Sequence, residues 1–282
     1  MKKMVCILLG MVMMFTSALA LGEEINVLSR EDGSGTRGAF IELFGIEQKN
    51  ENGEKVDYTT DECDITNSTS VMMTSVAGNP NAIGYISLDS LNDTVKAVAI
   101  DGADATVENI KAGSYGVARP FNIATRSEVS EAAQDFISFI LSAEGQAVVE
   151  KNGYIAVVEG AAAFEGGKVG GKIVVAGSSS VTPVMEKLKE AYEALNPDVE
   201  IELQQSDSSS GMTSTKDGVC DIGMASRELK SSELEAGLVP TTIAMDGIAV
   251  IVSPENPITG LTSEQVRGIY MGEIVDWSEV NE

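Results

Sequence analysis

The chain has 282 residues, 43% of them hydrophobic, with 43 acidic against 19 basic side chains, no histidine and a net charge of −24. That length can hold one large or two ordinary domains with real cores. A surface so acidic does not seek nucleic acid or anionic membrane, and without histidine neither imidazole metal sites nor Ser-His-Asp catalysis is available.

The N-terminus carries Lys2 and Lys3, a mainly apolar run from Met4 to Thr16, and then Ala18-Leu19-Ala20. This order predicts a secretory signal over residues 1–20, too short for a comfortable membrane span, and so an exported protein, periplasmic or extracellular and associated with the cell envelope. Beyond it, Cys63 and Cys220 lack CxxC spacing and are expected as free, buried thiols. Short β-branched runs then alternate with helical spacing, the signature of α/β architecture. Strands are predicted at 25–28, 82–88, 95–100 and 119–125. Helices are predicted at 35–44, 70–76 and, as the longest, 131–151, where Phe136, Ile137, Ile140, Leu141 and Val148 share a face. Residues 159–172 are Gly-rich and aperiodic, and read as a flexible linker. A strand at 173–176 follows, running into Gly177-Ser178-Ser179-Ser180, and Pro183 opens an amphipathic helix. Further strands are expected at 199–203 and 220–224, with a helix at 209–216 between them and another opened by Ser226-Arg227-Glu228. The segment 243–252 is long and apolar, and Thr262-Ser263-Glu264-Gln265 has the capping-box form.

Four segments share one design, in which a strand or turn delivers hydroxyls and glycines to the expected start of a helix. They are Gly177 to Ser180, Asp207-Ser208-Ser209-Ser210-Gly211, Ser226-Arg227, and Arg30-Glu31-Asp32-Gly33-Ser34-Gly35-Thr36. Helix N-termini present unpaired N–H groups and a partial positive end, hydroxyls add donors, and glycine lets backbone approach a ligand closely. Any one such segment is more often a plain N-cap, but four together favour a cage of neutral donors for an oxyanion, with Arg30 as a charge-assisted partner. No Gly-Lys-Ser/Thr follows Gly33-Ser34-Gly35-Thr36, which argues against a nucleotide P-loop. A serine hydrolase would need a Ser–Lys pair, and Lys187, Lys189 and Lys216 fall on helix faces where a solvated role is expected.

The segments "VVAGSSSVTPVMEKLKEAY", "GVCDIGMASREL", "AMDGIAVIVSPENP", "LTSEQVRGIYMGEIVDWSEV", "LSREDGSGTRGAF", "NSTSVMMTSVAGNPNAIGYISL" and "SYGVARPFNIAT" resemble the phosphate-binding protein of the Pst-type ABC phosphate importer. The resemblance spans nearly all of the chain after the leader. It implies a two-lobed type II periplasmic-binding-protein fold with two crossover strands and a ligand cleft between the lobes. It also implies a monomer, not an enzyme and without cofactor or metal, that captures inorganic phosphate for the membrane permease of an ABC importer. Carried over residue by residue, the family's binding positions fall on Arg30, Ser34, Gly35, Thr36, Ser179, Ser180, Ser208 and Ser226. The order of the segments is not the family's, which implies a circular permutation, natural or built. One lobe is then expected at 24–107 plus 254–282 and the other at 108–253, with the linker 159–172 inside it. Some family members carry aspartate where Ser226 stands, so sulfate or molybdate are alternative ligands, and an engineered phosphate-sensor scaffold is an alternative origin. Asp246 is a possible acidic acceptor, although a turn role is expected for it.

Overall fold

The computed structural model describes residues 24–167 and 169–281; the signal expected at 1–20 lies outside them. The chain begins with β1 (Asn26–Arg30), α1 (Gly35–Leu43) and a hairpin of β2 (Glu47–Lys49) and β3 (Lys55–Asp57). It continues through β4 (Asp64–Thr66), α2 (Thr69–Ala77), β5 (Ala82–Ser87), β6 (Lys96–Ala97), β7 (Ala99–Ile100) and α3 (Val107–Lys111). Next come β8 (Ala118–Thr125), α4 (Glu131–Ile140), α5 (Ala143–Lys151), β9 (Gly171–Ser178) and α6 (Thr182–Leu195). Then follow β10 (Val199–Ser206), α7 (Ser208–Lys216), β11 (Ile222–Ala225), α8 (Ser231–Glu235) and β12 (Val239–Val252). The last elements are β13 (Gly260–Leu261), α9 (Ser263–Tyr270) and a 3-10 turn at Trp277–Asn281. The side chains of Ser34, Ser68, Ser130, Asp207 and Thr262 each accept from a backbone N–H of the turn that follows, so these helix starts are fixed by local sequence.

One sheet of order β10-β9-β11-β8-β12-β5-β1-β4, with β6 also beside β12, runs through the molecule. Its middle strand, β12, is 14 residues long. Val239 to Gly247 pair antiparallel with β8, and Ile248 to Val252 pair antiparallel with β5. Two cores lie on either side of this change of partner. In the first, Phe40 stacks on Tyr85 at 3.9 Å and meets Tyr270 edge-on, with Trp277 buried nearby. In the second, Phe136 and Phe139 pack against Tyr192 over β8 and β9. Cys220 is buried and Cys63 half-buried, and both are free thiols.

The cores exchange between Val117 and Phe121 and between Ala244 and Ile248, not at 107/108 and 253/254. Tyr115, Val117 and the apolar second half of β12 belong to the first core, whereas sequence alone placed them in the second lobe. The long helix expected at 131–151 is two helices. Ser142 breaks it by donating to the Phe139 carbonyl (2.6 Å) and capping the Gly145 N–H (3.2 Å). No helix begins at Ser226; α8 starts only at Ser231.

The Gly-rich segment is not a free tether. Its Ala162 carbonyl accepts from Ala143 N–H (2.8 Å), Phe164 N–H donates to Glu144 (2.8 Å), and Gly167 N–H donates to Asp135 (3.1 Å). The Phe164 ring stands edge-on to Phe139 and Tyr192, and Val169 packs against the same core. One aromatic residue therefore anchors a stretch whose average composition reads as loose. Limited proteolysis should leave 160–171 intact in the wild type. Phe164→Ala should make it the first site cut, read by mass spectrometry of the fragments; equal resistance in both proteins would show that the ring does not hold the segment.

A candidate oxyanion site between the lobes

Strands of the sheet end at the line where the lobes meet, and β1, β9 and β10 each hand the chain to a helix there. β1 ends on Arg30, and its backbone is held by the Tyr85 hydroxyl, which accepts from Arg30 N–H (3.0 Å) and pairs with Ser29 Oγ (2.9 Å). Burial pushes the Tyr85 phenol up to about 12, so it stays a neutral hydrogen-bonding group. Arg37 pins the following loop by donating to the Arg30 carbonyl (3.0 Å) and to Asp32 (2.7 Å). Ser34 then caps α1, and Gly35 and Thr36 form its first turn. From the other lobe, β9 delivers Ser178 to Ser180, α7 begins at Ser208 behind the Asp207 cap, and Ser226 follows β11.

All eight residues expected at the site are buried, and the structure brings them together. Thr36 Oγ1 lies 2.8 Å from Ser180 Oγ and 3.5 Å from Ser226 Oγ. Arg30 Nη2 donates across the lobes to Ser179 Oγ (3.1 Å). Ser226 N–H donates to Ser208 Oγ (3.2 Å). A Cβ on Gly35 would sit 2.4 Å from Ser208 Oγ and 2.8 Å from Ser226 Oγ, so no larger residue fits at that helix start while the lobes meet. Ser34 stays at the edge of the group, its hydroxyl accepting from Arg37 N–H at 3.3 Å.

Two further members, Thr69 and Ser178, lie outside the eight positions that the resemblance implies. Thr69, at the first turn of α2, lies 3.5 Å from Ser179 Oγ and 3.4 Å from Ser180 Oγ. Ser178 donates to Ser226 Oγ at 3.0 Å. The run Ser68-Thr69-Ser70 has the hydroxyl-rich helix start used to find the others, so the signal was present. Ser226, expected at a helix start, reaches the group instead from the end of a strand. Hydroxyls rotate freely, so O–H groups now paired with one another can turn their protons onto a bound oxyanion. Glu31 holds Arg30 through two bonds of 2.7 and 2.8 Å, which fixes the guanidinium plane and offsets its charge. Lys187, Lys189 and Lys216 pair with acids on or beside their own helices, at Glu190, Glu193 and Asp217, so none of them activates a cleft serine.

Where the chain crosses between lobes, Arg119 of β8 faces Asp246 of β12 across the strand pair. Both are buried, Arg119 Nη2 stands 3.1 Å from Asp246 Oδ2, and Arg119 Nη1 has no hydrogen-bond partner among the described residues. Asp246 is thus a mid-strand ion-pair residue, not the turn residue expected. Burial pushes its carboxyl up to about 6, against the pull of Arg119. Burial also lowers the Arg119 guanidinium, Asp246 raises it, and the nearby Arg30 charge lowers it further.

Comparison with known proteins gives consistent matches. A PBP superfamily domain matches residues 16–144 and 162–282. Phosphate-binding protein PstS 2 of Streptococcus agalactiae serotype V is 58% identical over 258 residues, spanning 91% of this chain and 88% of that protein. The crystal structure of a phosphate ABC transporter phosphate-binding protein from Streptococcus pneumoniae TIGR4 is 43% identical, with a TM-score of 0.71 over 92% of this chain and all of that one. Phosphate-binding protein PstS of Borreliella burgdorferi is 33% identical over 110 residues, 39% of this chain and 39% of that protein.

The raised Asp246 carboxyl has a definite consequence for stability. A folded-state pKa above the ordinary value of 3.8 means that the folded form holds the proton more tightly than the unfolded one. The stability this contributes is full below about pH 4 and is lost as pH rises through about 6. Asp246→Asn should remove that decline, on the order of 1–3 kcal/mol between pH 4.5 and 7.5. Urea unfolding of both proteins across this range tests it, and parallel profiles would contradict it.

Proposed function

Because the chain belongs to the PstS family of phosphate-binding proteins within the PBP superfamily, we propose that it captures inorganic phosphate in the cleft between its lobes and delivers it to the membrane permease of an ABC importer. The observation that carries this reading is the meeting of Thr36 with Ser180 and of Arg30 with Ser179, donors from opposite lobes in one buried polar group. A tetrahedral oxyanion offers acceptors in every direction, and only a cage closed from both sides meets them all. The binding set is Arg30, Ser34, Gly35, Thr36, Ser179, Ser180, Ser208 and Ser226, with Thr69 and Ser178 added by their geometry. The starts of α1, α2 and α7 place partial positive charge at the same point. Phosphate is bound and not transformed: Lys187, Lys189 and Lys216 are paired away from the cleft serines, and the ligand is held by hydroxyls, backbone N–H groups and the Arg30 guanidinium.

Export to the outer side of the cytoplasmic membrane fits the leader and the family, and no helix of the described residues is long and apolar enough to cross a membrane. The segment order fits a circular permutation relative to part of the family. The Streptococcus agalactiae relative, matched over 91% of this chain, shares its segment order, so the permutation is proposed relative to other members of the family. Near the two extremes of the described residues, Glu24 bridges Asp276, and Ile25 N–H donates to the Val275 carbonyl (2.8 Å).

Calorimetric titration of the exported form with phosphate, and separately with sulfate, tests the function. One-to-one binding of phosphate is expected, with Thr36→Val and Ser208→Ala each weakening it by about 1–3 kcal/mol. Absence of phosphate binding overturns the reading, and tighter sulfate binding assigns the site to another oxyanion. The acidic body repels the ligand at long range, so added salt should raise the association rate constant, measured by stopped flow. A steep fall with salt would instead mark a steering patch of positive charge.

A further inference from the structure

Gly33 lies in the loop before α1, and its neighbours across the cleft are unusually close. A Cβ built on it would stand 2.2 Å from Asp207 Oδ1 and 2.5 Å from Asp207 Cγ, in the other lobe. Its carbonyl accepts from Ser209 N–H at 3.2 Å, a backbone bond between the lobes onto the first turn of α7. Asp207 cannot easily step aside. Its Oδ1 caps α7 through Ser210 N–H (2.9 Å), and its Oδ2 accepts from Ser210 Oγ (2.6 Å). The backbone at Gly33 makes no such demand, because this glycine is absent from the positive-φ positions of the chain. Alanine would therefore fit the loop taken alone, and the pressure for glycine comes entirely from the opposite lobe.

We infer that Gly33 and the capped end of α7 form a closure latch: the bare peptide at position 33 seats on α7, and its thinness sets how far the lobes close on the ligand. The inference rests on the cleft being the ligand site, and it assigns Gly33 and Asp207 as positioning residues that touch each other and leave the ligand to the hydroxyls. Any side chain at 33 must either break the Asp207 cap or hold the lobes apart. Held apart, Thr36 and Arg30 no longer reach Ser180 and Ser179, and the ligand loses half of its donors at once.

The test is a set of proteins carrying Gly33→Ala, Asp207→Ser, and both. Serine keeps the ability to cap α7 but is shorter than aspartate. Gly33→Ala should weaken phosphate binding roughly ten- to a hundredfold, mainly through faster release, while the ligand-free midpoint of urea unfolding stays at the wild-type value. Asp207→Ser alone should bind at least as well as wild type. The double variant should recover most of the lost affinity, because the clash is relieved from the other side. Small-angle scattering with saturating phosphate should show a larger radius of gyration for Gly33→Ala alone. Wild-type affinity in Gly33→Ala, or failure of Asp207→Ser to restore it, overturns the latch. If the wild type itself does not bind phosphate, the functional reading fails. The latch is then judged by scattering of the ligand-free proteins: a more open Gly33→Ala restored by the double variant supports it, and identical profiles overturn it.

Discussion

A buried hydroxyl or helix N–H must have a partner, and here the partners of one lobe's donors stand on the other lobe. Thr36 is satisfied by Ser180, Arg30 by Glu31 and Ser179, and Ser209 N–H by the Gly33 carbonyl. The remaining architecture serves that condition. β1, β9 and β10 run so that their carboxyl ends reach the same line, where open α/β sheets hold their ligands. The helices that follow present their first turns to it. A cleft built this way is lined mostly by neutral hydroxyls, with the Arg30 guanidinium as its one charge-assisted donor among the binding residues.

The charge of the chain and the charge of its ligand have the same sign, which places the selectivity in short-range geometry. Arg30 is the strongest donor in the cleft, and Glu31 holds it on two sides, so the guanidinium acts as a fixed pair of N–H vectors more than as a free cation. Ser226 continues the same logic. It joins Ser178 and Thr36 through its hydroxyl and adds no negative charge at the centre of the cage. Recognition then depends on filling every donor direction, a requirement met by the shape of the ligand and by complete closure around it.

Much of this was legible in the sequence because it is local. Ser34, Asp207 and Thr262 announce their helices through side-chain caps, and Gly33-Ser34-Gly35-Thr36 and Gly177 to Ser180 declare hydroxyl-rich turns between strand and helix. What escaped depends on contacts distant in the chain. Phe164 looks like an isolated aromatic in a glycine-rich run until Phe139 and Tyr192 are placed beside it. Asp246 resembles a turn residue until β8 sets Arg119 opposite it. The Ser226-Arg227-Glu228 string resembles a helix start, but the strand before it does the positioning. β12 changes partners at Asp246-Gly247, a polar break in its apolar run, and the lobe boundary expected at 253/254 follows the end of the whole strand instead of that break.

The placement of the two cores along the chain also orders their assembly in time. The second core draws on residues 121–154 and 173–244, a stretch complete in itself. The first core needs Ile25 and Val27 from one extremity and Trp277 and Val280 from the other. A polypeptide emerging from its N-terminus, from a ribosome or through a membrane pore, presents every residue of the second core before the last of the first has appeared. The late-emerging segment of α9 and Trp277 must then close, across most of the chain's length, over a core that β1, β4 and β5 have already begun. Loop closure over such a span is slow compared with local contacts. The residues of the ligand cage all lie between Arg30 and Ser226, so every one of them precedes the segment that completes the first core.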